Sequence, residues 1–212
     1  MIRITERAKG INRVRLLEAA AAEFAAHGLA GANINRISVA AGLAKGTVYN
    51  YFPSKEELFE AVVREACDLA VRRAGRSTAA TTRERLLAMA AADVEVAREN
   101  EAFARVMARE ALSGDPMSFQ RIVSAAEPFI SQVEQILRDG VERGEVRPDV
   151  PVSELALLFA GMDLLALTQH WSTAGAWPRL EDIPGLVVRQ FLEGARGPAS
   201  QESKESQERN RP

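Results

Sequence analysis

Asn33–Phe52 reads NINRISVAAGLAKGTVYNYF, and this stretch decides the fold. Ile34, Ile37 and Ala41 fall on one helical face and are followed by Gly42 and Leu43. A second short helix then carries Val48 and Phe52 inward at an i, i+4 spacing. Gly42 stands where the chain must turn sharply, and glycine accepts the positive φ such a turn needs. Asn33 is placed to cap the first helix, because its side chain can accept an otherwise unpaired backbone N–H. Two short helices joined by a tight turn make a helix-turn-helix, whose second helix lies in the DNA major groove.

The outward face of the second helix carries the chemistry of a DNA reader. With Val48 and Phe52 inside, Lys45, Thr47, Asn50 and Tyr51 fall outward or to the side. Lys45 and Lys55 bracket the helix with positive charge. The hydroxyls of Thr47 and Tyr49 can donate to phosphate oxygens. Asn50 matches the N6 and N7 edge of adenine. Gly46 has no side chain, so the helix start can approach a duplex backbone closely. No acidic residue occurs between Glu23 and Glu56. An ordinary surface helix would interleave Glu with Lys.

The longer stretch Ala41–Leu58, AGLAKGTVYNYFPSKEEL, resembles the signature of the TetR family of bacterial transcriptional regulators. The likeness is close over Asn12–Val63, and beyond it extends only to length and helical character. It implies phosphate contacts at Thr47, Tyr49 and Lys55, and base-reading positions at Asn35, Ala44, Lys45, Gly46, Asn50 and Tyr51. Asn33 and Arg36, at the start of the first helix, complete the expected DNA-binding set. Ala44 departs from the polar residue often seen at its place in the family.

Composition gives the compartment and the charge layout. The 212 residues provide for one DNA-binding module plus a second helical domain. The net charge of −2 hides an uneven distribution. Met1–Lys55 holds eight Lys or Arg against three Glu, and the remainder holds 19 basic against 26 acidic residues. A basic head on an acidic body favours phosphate contact at one end. Cys67 is the single cysteine, which suits a reducing, cytoplasmic setting. No signal peptide is expected at Met1–Gly10, which is charged and reads as a frayed end or an arm reaching for a groove or phosphate. The longest apolar run, Leu155–Leu167, is expected to be too short for a bilayer and contains Asp163.

The rest of the chain reads as helices. Ile11–His27 is amphipathic, with Ile11, Val14, Leu17, Ala21 and Phe24 expected inside and Gly28 ending it. Ser54 and Glu57 form a capping box opening a helix over residues 54–73, which links the two domains. Helices are expected over Thr82–Asn100, Glu101–Leu112 and Met117–Gly140, the last kinked or restarted at Pro128. Val152–Trp171 is apolar on nearly every side, so both faces must be covered. A final helix follows over Pro184–Gly194. Residues 197–212, rich in Ser, Gln, Glu and Arg, are expected to be a disordered tail.

The expected architecture is all-α: an N-terminal three-helix helix-turn-helix DNA-binding domain (1–55) and a C-terminal helical ligand-binding and dimerisation domain (56–196). The resemblance, with the apolar helices, implies a homodimer through Leu157, Gly161, Leu164, Val187 and Phe191. It also implies an effector pocket, for which the candidate lining is Phe103, Met107, Phe119, Met162, Leu165, His170 and Trp171. Each of these residues also suits an ordinary core. Asp163 must be paired, exposed or set against a wet pocket, because an unpaired buried carboxylate is costly. The lining favours a small apolar or aromatic effector, without nitrogen, over a highly charged one. No cofactor, metal site or enzyme constellation is expected, since Cys67, His27 and His170 show no ligand or triad spacing. The expected partners are a double-stranded DNA operator, the effector and a second copy of the chain, with no membrane. A ligand-responsive repressor is the reading. The alternatives are a protein-interaction module and a DNA-binding activator without an effector.

Overall fold

A computed structural model describes residues 6–194 of the chain, and within them every regular element is helical. Residues 1–5 of the expected arm and the expected tail over 197–212 lie outside the described residues. The helices are α1 (Glu6–Gly31), α2 (Ile34–Ala40), α3 (Lys55–Ala74), α4 (Thr82–Glu99), α5 (Glu101–Ala111), α6 (Pro116–Ala125), α7 (Glu127–Glu142), α8 (Val152–Ser172) and α9 (Ile183–Gly194). A 3₁₀ turn spans Thr47–Asn50 between α2 and α3. The chain divides into two compact units. The first holds residues up to Cys67 together with Ala97–Glu127, and the second holds Asp68–Val96 and residues from Pro128 onward. α3 is continuous and contributes to both.

In the first unit α1 starts at Glu6, earlier than the apolar pattern suggests, and breaks at Gly28, where φ is +68°. Its buried stripe is Leu16, Leu17, Ala20 and Phe24, whereas Ile11 and Val14 are exposed. The expected inward placement of those two is therefore corrected. The stripe takes its phase from Leu16, Ala20 and Phe24, four residues apart and all fully buried. Phe24 meets Phe59 edge-on at 5.1 Å between ring centroids, and Phe59 meets Phe103 at 5.5 Å. Aromatic pairs of this geometry add about 1 kcal/mol each beyond their buried area. α5 packs on α1 and carries α6 with it. Asp115 caps α6 by accepting the N–H groups of Met117 and Ser118.

The expected long helix over Met117–Gly140 is two helices, α6 in the first unit and α7, from Pro128 onward, in the second. α6 ends at Ala125 and Pro128 takes the second position of α7. There its missing N–H costs nothing, since the first helical N–H groups lack partners anyway. α8 and α9 pack side by side, with Phe159 and Phe191 meeting edge-on at 5.2 Å. α8 has 21 residues and holds a window of 18 with a mean hydropathy of 1.4, so by length and composition alone it could cross a membrane, contrary to the expectation from the apolar run. Only a third of that window is buried within the chain.

Candidate nucleic-acid interface

The helix-turn-helix is built by local bonds that its own residues dictate. Asn33 is extended, and its Oδ1 accepts the N–H groups of Asn35 at 2.9 Å and Arg36 at 3.3 Å. α2 buries Ile37 and closes with Leu43 N–H donating to the Ser38 carbonyl at 2.9 Å. Gly42 then takes φ +73° and Gly46 takes φ +79°. Both are left-handed, where a Cβ would crowd the backbone. The second helix is reduced to one 3₁₀ turn, Thr47–Asn50. Pro53 explains its brevity, because the residue before a proline is pushed out of the helical region. Val48 and Phe52 are buried as the spacing requires. Ser54 Oγ accepts the Glu57 N–H at 3.0 Å and so begins α3.

Burying Val48 and Phe52 sets the rest of the turn outward. Ala44, Lys45 and Asn50 are exposed, Tyr49 is 55% exposed, and Gly46 and Thr47 are half-buried. Tyr51 is half-buried, and its hydroxyl oxygen accepts from Asn12 Nδ2 at 3.2 Å, which ties the end of the turn to α1. Arg13 stands over the Phe52 ring at 5.6 Å. Gly31, Ala32, Asn33, Ile34, Asn35, Arg36, Tyr49 and Lys55 enclose an open cleft of about 420 Å³. The cleft therefore gathers Asn33, Asn35, Arg36, Tyr49 and Lys55 from three elements onto one surface. Lys55 Nζ donates to the Ala30 carbonyl at 2.9 Å, which holds the ammonium at its rim.

One organiser of this surface was not among the residues singled out from the sequence. Glu23 accepts the Asn33 N–H at 2.8 Å and receives Arg36 through Nε at 2.9 Å and Nη2 at 2.5 Å. Those Arg36 bonds hold the Glu23 carboxyl below the usual carboxylate range, against the opposing effect of burial, and the Asn33 N–H adds to them. Glu23 thus sets the cap and the guanidinium together. Its only trace in the sequence is that it is the last acidic residue before the gap that ends at Glu56.

The second-domain candidates separate. Phe103 belongs to the aromatic core of the first unit, Met107 is half-buried there, and Phe119 is exposed. Met162, Leu165, His170 and Trp171 lie on α8 in the second unit. His170 Nδ1 is 2.9 Å from the Pro178 carbonyl, so its ring closes the loop after α8. Leu157, Gly161 and Leu165 form an exposed row at four-residue spacing, with Leu158 exposed beside them and Leu164 half-buried. Val187 and Phe191 do not join that row: both are buried, with Phe191 against Phe159. Asp163 is 1% exposed, and its carboxyl meets the Asp93 carboxyl of α4 in a side-chain hydrogen bond. Burial, and then that neighbouring carboxyl, pushes the Asp163 group well above its usual range, so the pairing expected for it is with a second acid.

Comparison with known proteins identifies both parts. Residues 16–62 match the family model described as bacterial regulatory proteins, tetR family, and residues 83–177 match the tetracyclin repressor-like C-terminal domain. The HTH-type transcriptional repressor SCO4008 of Streptomyces coelicolor is 32% identical over 152 residues, covering 71% of this chain and 75% of that protein. The HTH-type transcriptional regulator RutR of Escherichia coli is 26% identical over 189 residues, covering 86% and 83%. The crystal structure of the regulator FadR from Bacillus subtilis, in complex with stearoyl-CoA, superposes with a TM-score of 0.73 at 20% identity, over 86% of this chain and 99% of that one. The chain belongs to the tetR family of bacterial regulatory proteins, and it is a DNA-binding transcriptional repressor of the helix-turn-helix type.

Proposed function

We propose that two copies of this chain bind a palindromic operator, each presenting its Thr47–Asn50 turn to the major groove. A small molecule held in the second unit would release them. Half-sites are then about 34–36 Å apart, or a multiple of that. The observation that carries the reading is the cleft lined by Asn33, Asn35, Arg36, Tyr49 and Lys55 beside an outward turn with no carboxylate of its own. Lys45, Thr47, Tyr49 and Lys55 are assigned to phosphates, and Asn35 and Asn50 to base edges. Arg36, already held by Glu23, presents its remaining donors to the same backbone. Gly46 and Ala44 serve by leaving room for the duplex.

The α8 row supports the dimer. Leu157, Leu158, Gly161 and Leu165 leave a continuous apolar face on a helix too apolar to remain in water. A second copy, rather than a bilayer, is assigned to it, because α8 buries a carboxyl and packs its opposite face on α9. α3 is assigned the coupling role, since one helix begins beside the DNA face and ends in the second unit. An effector needs only to prefer the released geometry by a few kcal/mol. The protein acts in the cytoplasm and has no catalytic role in this reading. A protein-interaction module is not favoured, since nothing about such a partner requires an acid-free cationic turn.

The test is an electrophoretic shift with DNA from upstream of the gene. Wild type shifts it as a dimer. Asn50→Ala alters which sequences are preferred, whereas Lys55→Ala weakens all duplexes alike and lowers the salt slope by about one ion. Absence of any shift at low salt overturns the reading.

A further inference from the structure

We propose that the cavity between the last turns of α3, the start of α4 and α7 holds the effector, and that the effector is a small monocarboxylate with an apolar body. The inference rests on the ligand-responsive reading above and names the place and class of its ligand. It keeps the nitrogen-free body expected from the sequence and adds a single negative charge. It also moves the site, because none of the residues expected to line the pocket lines this cavity.

The cavity measures about 230 Å³ and lies wholly within the second unit. Val71 and Ala74 of α3, Met89 of α4 and Ile136 of α7 give it apolar walls, and Met89 and Ile136 are buried. Arg85 of α4 and Gln132 of α7 stand in the same lining. The loop after α3 adds Ser77, which is exposed, and Ala79, which is half-buried, so this side of the cavity meets solvent.

The polar part of the lining is built of donors. Among the described residues Arg85 is the only charged one in it. Asp139 takes one nitrogen of that guanidinium, Nη1, at 2.6 Å. The other Asp139 oxygen accepts from Gln135 at 2.7 Å, so this carboxylate is satisfied without the rest of the fork. Arg85 keeps Nε and Nη2, the edge that holds a carboxylate through two parallel bonds. The side-chain amide of Gln132 has no partner among the described residues and brings two more N–H groups. An ammonium ligand would meet the guanidinium and no acid. A neutral one would leave the fork without its match. At about 30 Å³ for each water-sized group the cavity takes roughly eight, which suits one ring or a short chain. Val71 and Ala74 belong to the helix that begins beside the DNA face, so an occupant touches the element assigned the coupling.

Isothermal titration of the full-length protein at neutral pH tests the class. Benzoate, phenylacetate and hexanoate are the probes, and benzamide is the neutral match to benzoate. At least one carboxylate should saturate the protein, while benzamide should not. Arg85→Lys keeps a charge for Asp139 but loses the fork, and Gln132→Leu removes an amide that holds nothing else. Each should weaken the bound carboxylate roughly tenfold or more. The same carboxylate should abolish the shift of upstream DNA. Failure of all three carboxylates on wild type overturns the proposal, as does benzamide binding as tightly as they do. A variant that folds and binds like wild type also overturns it, and so does saturation that leaves the DNA shift intact. No shift by the ligand-free wild type would strike the regulator reading, whereas an intact shift with no carboxylate binding would strike only the place and class of the effector.

Discussion

At the scale of single residues, the helix-turn-helix holds two positions that pull stability in opposite directions. Gly46 holds φ +79° at the head of the Thr47–Asn50 turn, with open space where a Cβ would stand. The space is irrelevant, because the strain of a left-handed alanine lies in its own backbone. Gly46→Ala should lower unfolding stability in urea by about 1–2 kcal/mol. It should also weaken DNA binding, because relieving the strain rotates the turn that carries Thr47 and Asn50. Ser38 is the converse case. Its hydroxyl is fully buried in α2 with no hydrogen-bond partner. Ser38→Ala should raise stability by about 1 kcal/mol, the desolvation cost of an unpaired hydroxyl, and leave operator affinity unchanged. A drop in stability in the same urea titration would mean that the hydroxyl has a partner in solution.

At the scale of elements, α4 and α7 of the second unit are locked by a polar staple. Thr82 N–H donates to Glu145 Oε2 at 2.8 Å, Arg143 Nε donates to Glu145 Oε1 at 2.9 Å, and Arg143 Nη2 donates to Thr82 Oγ1 at 2.9 Å. The side chain of Thr82 and then Arg143 hold Glu145 down at about 2, against an ordinary value of 4.5. A carboxyl depressed by folding contributes stability above its unfolded value and loses it as pH falls toward the folded one. Glu145→Gln should therefore flatten the acid limb of the unfolding curve between pH 4.5 and about 2. The loss at neutral pH should be on the order of 1 kcal/mol, because the carboxylate is a third exposed and screened. Gly140 lies under the same staple: a Cβ there would come within 2.5 Å of Thr82 Oγ1 and 2.8 Å of Val146 Cγ2. Gly140→Ala should cost about 1–3 kcal/mol by thermal unfolding. The staple also marks where reading from sequence stops. The cap at Asn33, the turn at Gly42 and the start at Ser54 are written in residues a few places apart, so they were legible. The staple joins Thr82 to residues some sixty places away, and the pairing of Asp93 with Asp163 spans a similar distance. No spacing rule links such residues. The phase of α1 was missed for a related reason: Ile11 and Val14 fit a helical stripe, but only the tertiary position of Phe24 on Phe59 selects which stripe is buried. Likewise Val187 and Phe191 read as one more apolar seam, and only their burial, with Phe191 packed on Phe159, assigns them to the protomer's own core.

At the scale of the whole molecule, one helix face decides whether two DNA-reading turns act together. Gly161 sits in the middle of the exposed α8 row, and within the protomer a Cβ added there meets nothing within 4 Å. Judged on one chain alone, Gly161→Ala should stabilise, by about 0.5–1 kcal/mol, because alanine loses less backbone entropy in a helix than glycine. If the row is the seam between two copies, the same methyl group enters a close helix approach and loosens the dimer. Opposite effects of one substitution on protomer and dimer are difficult to produce in any other way. Sedimentation should show a weaker dimer for Gly161→Ala than for wild type, together with a raised unfolding midpoint under conditions where both are monomeric. Leu158→Glu, which places a charge in the same face without touching the core, should give a monomer that keeps its helical content. That monomer should lose most operator affinity, since a single half-site forfeits the gain from linking two binding events. Wild-type sedimentation for both variants, with unchanged operator binding, would place the partner of α8 elsewhere and uncouple the apolar face from DNA recognition.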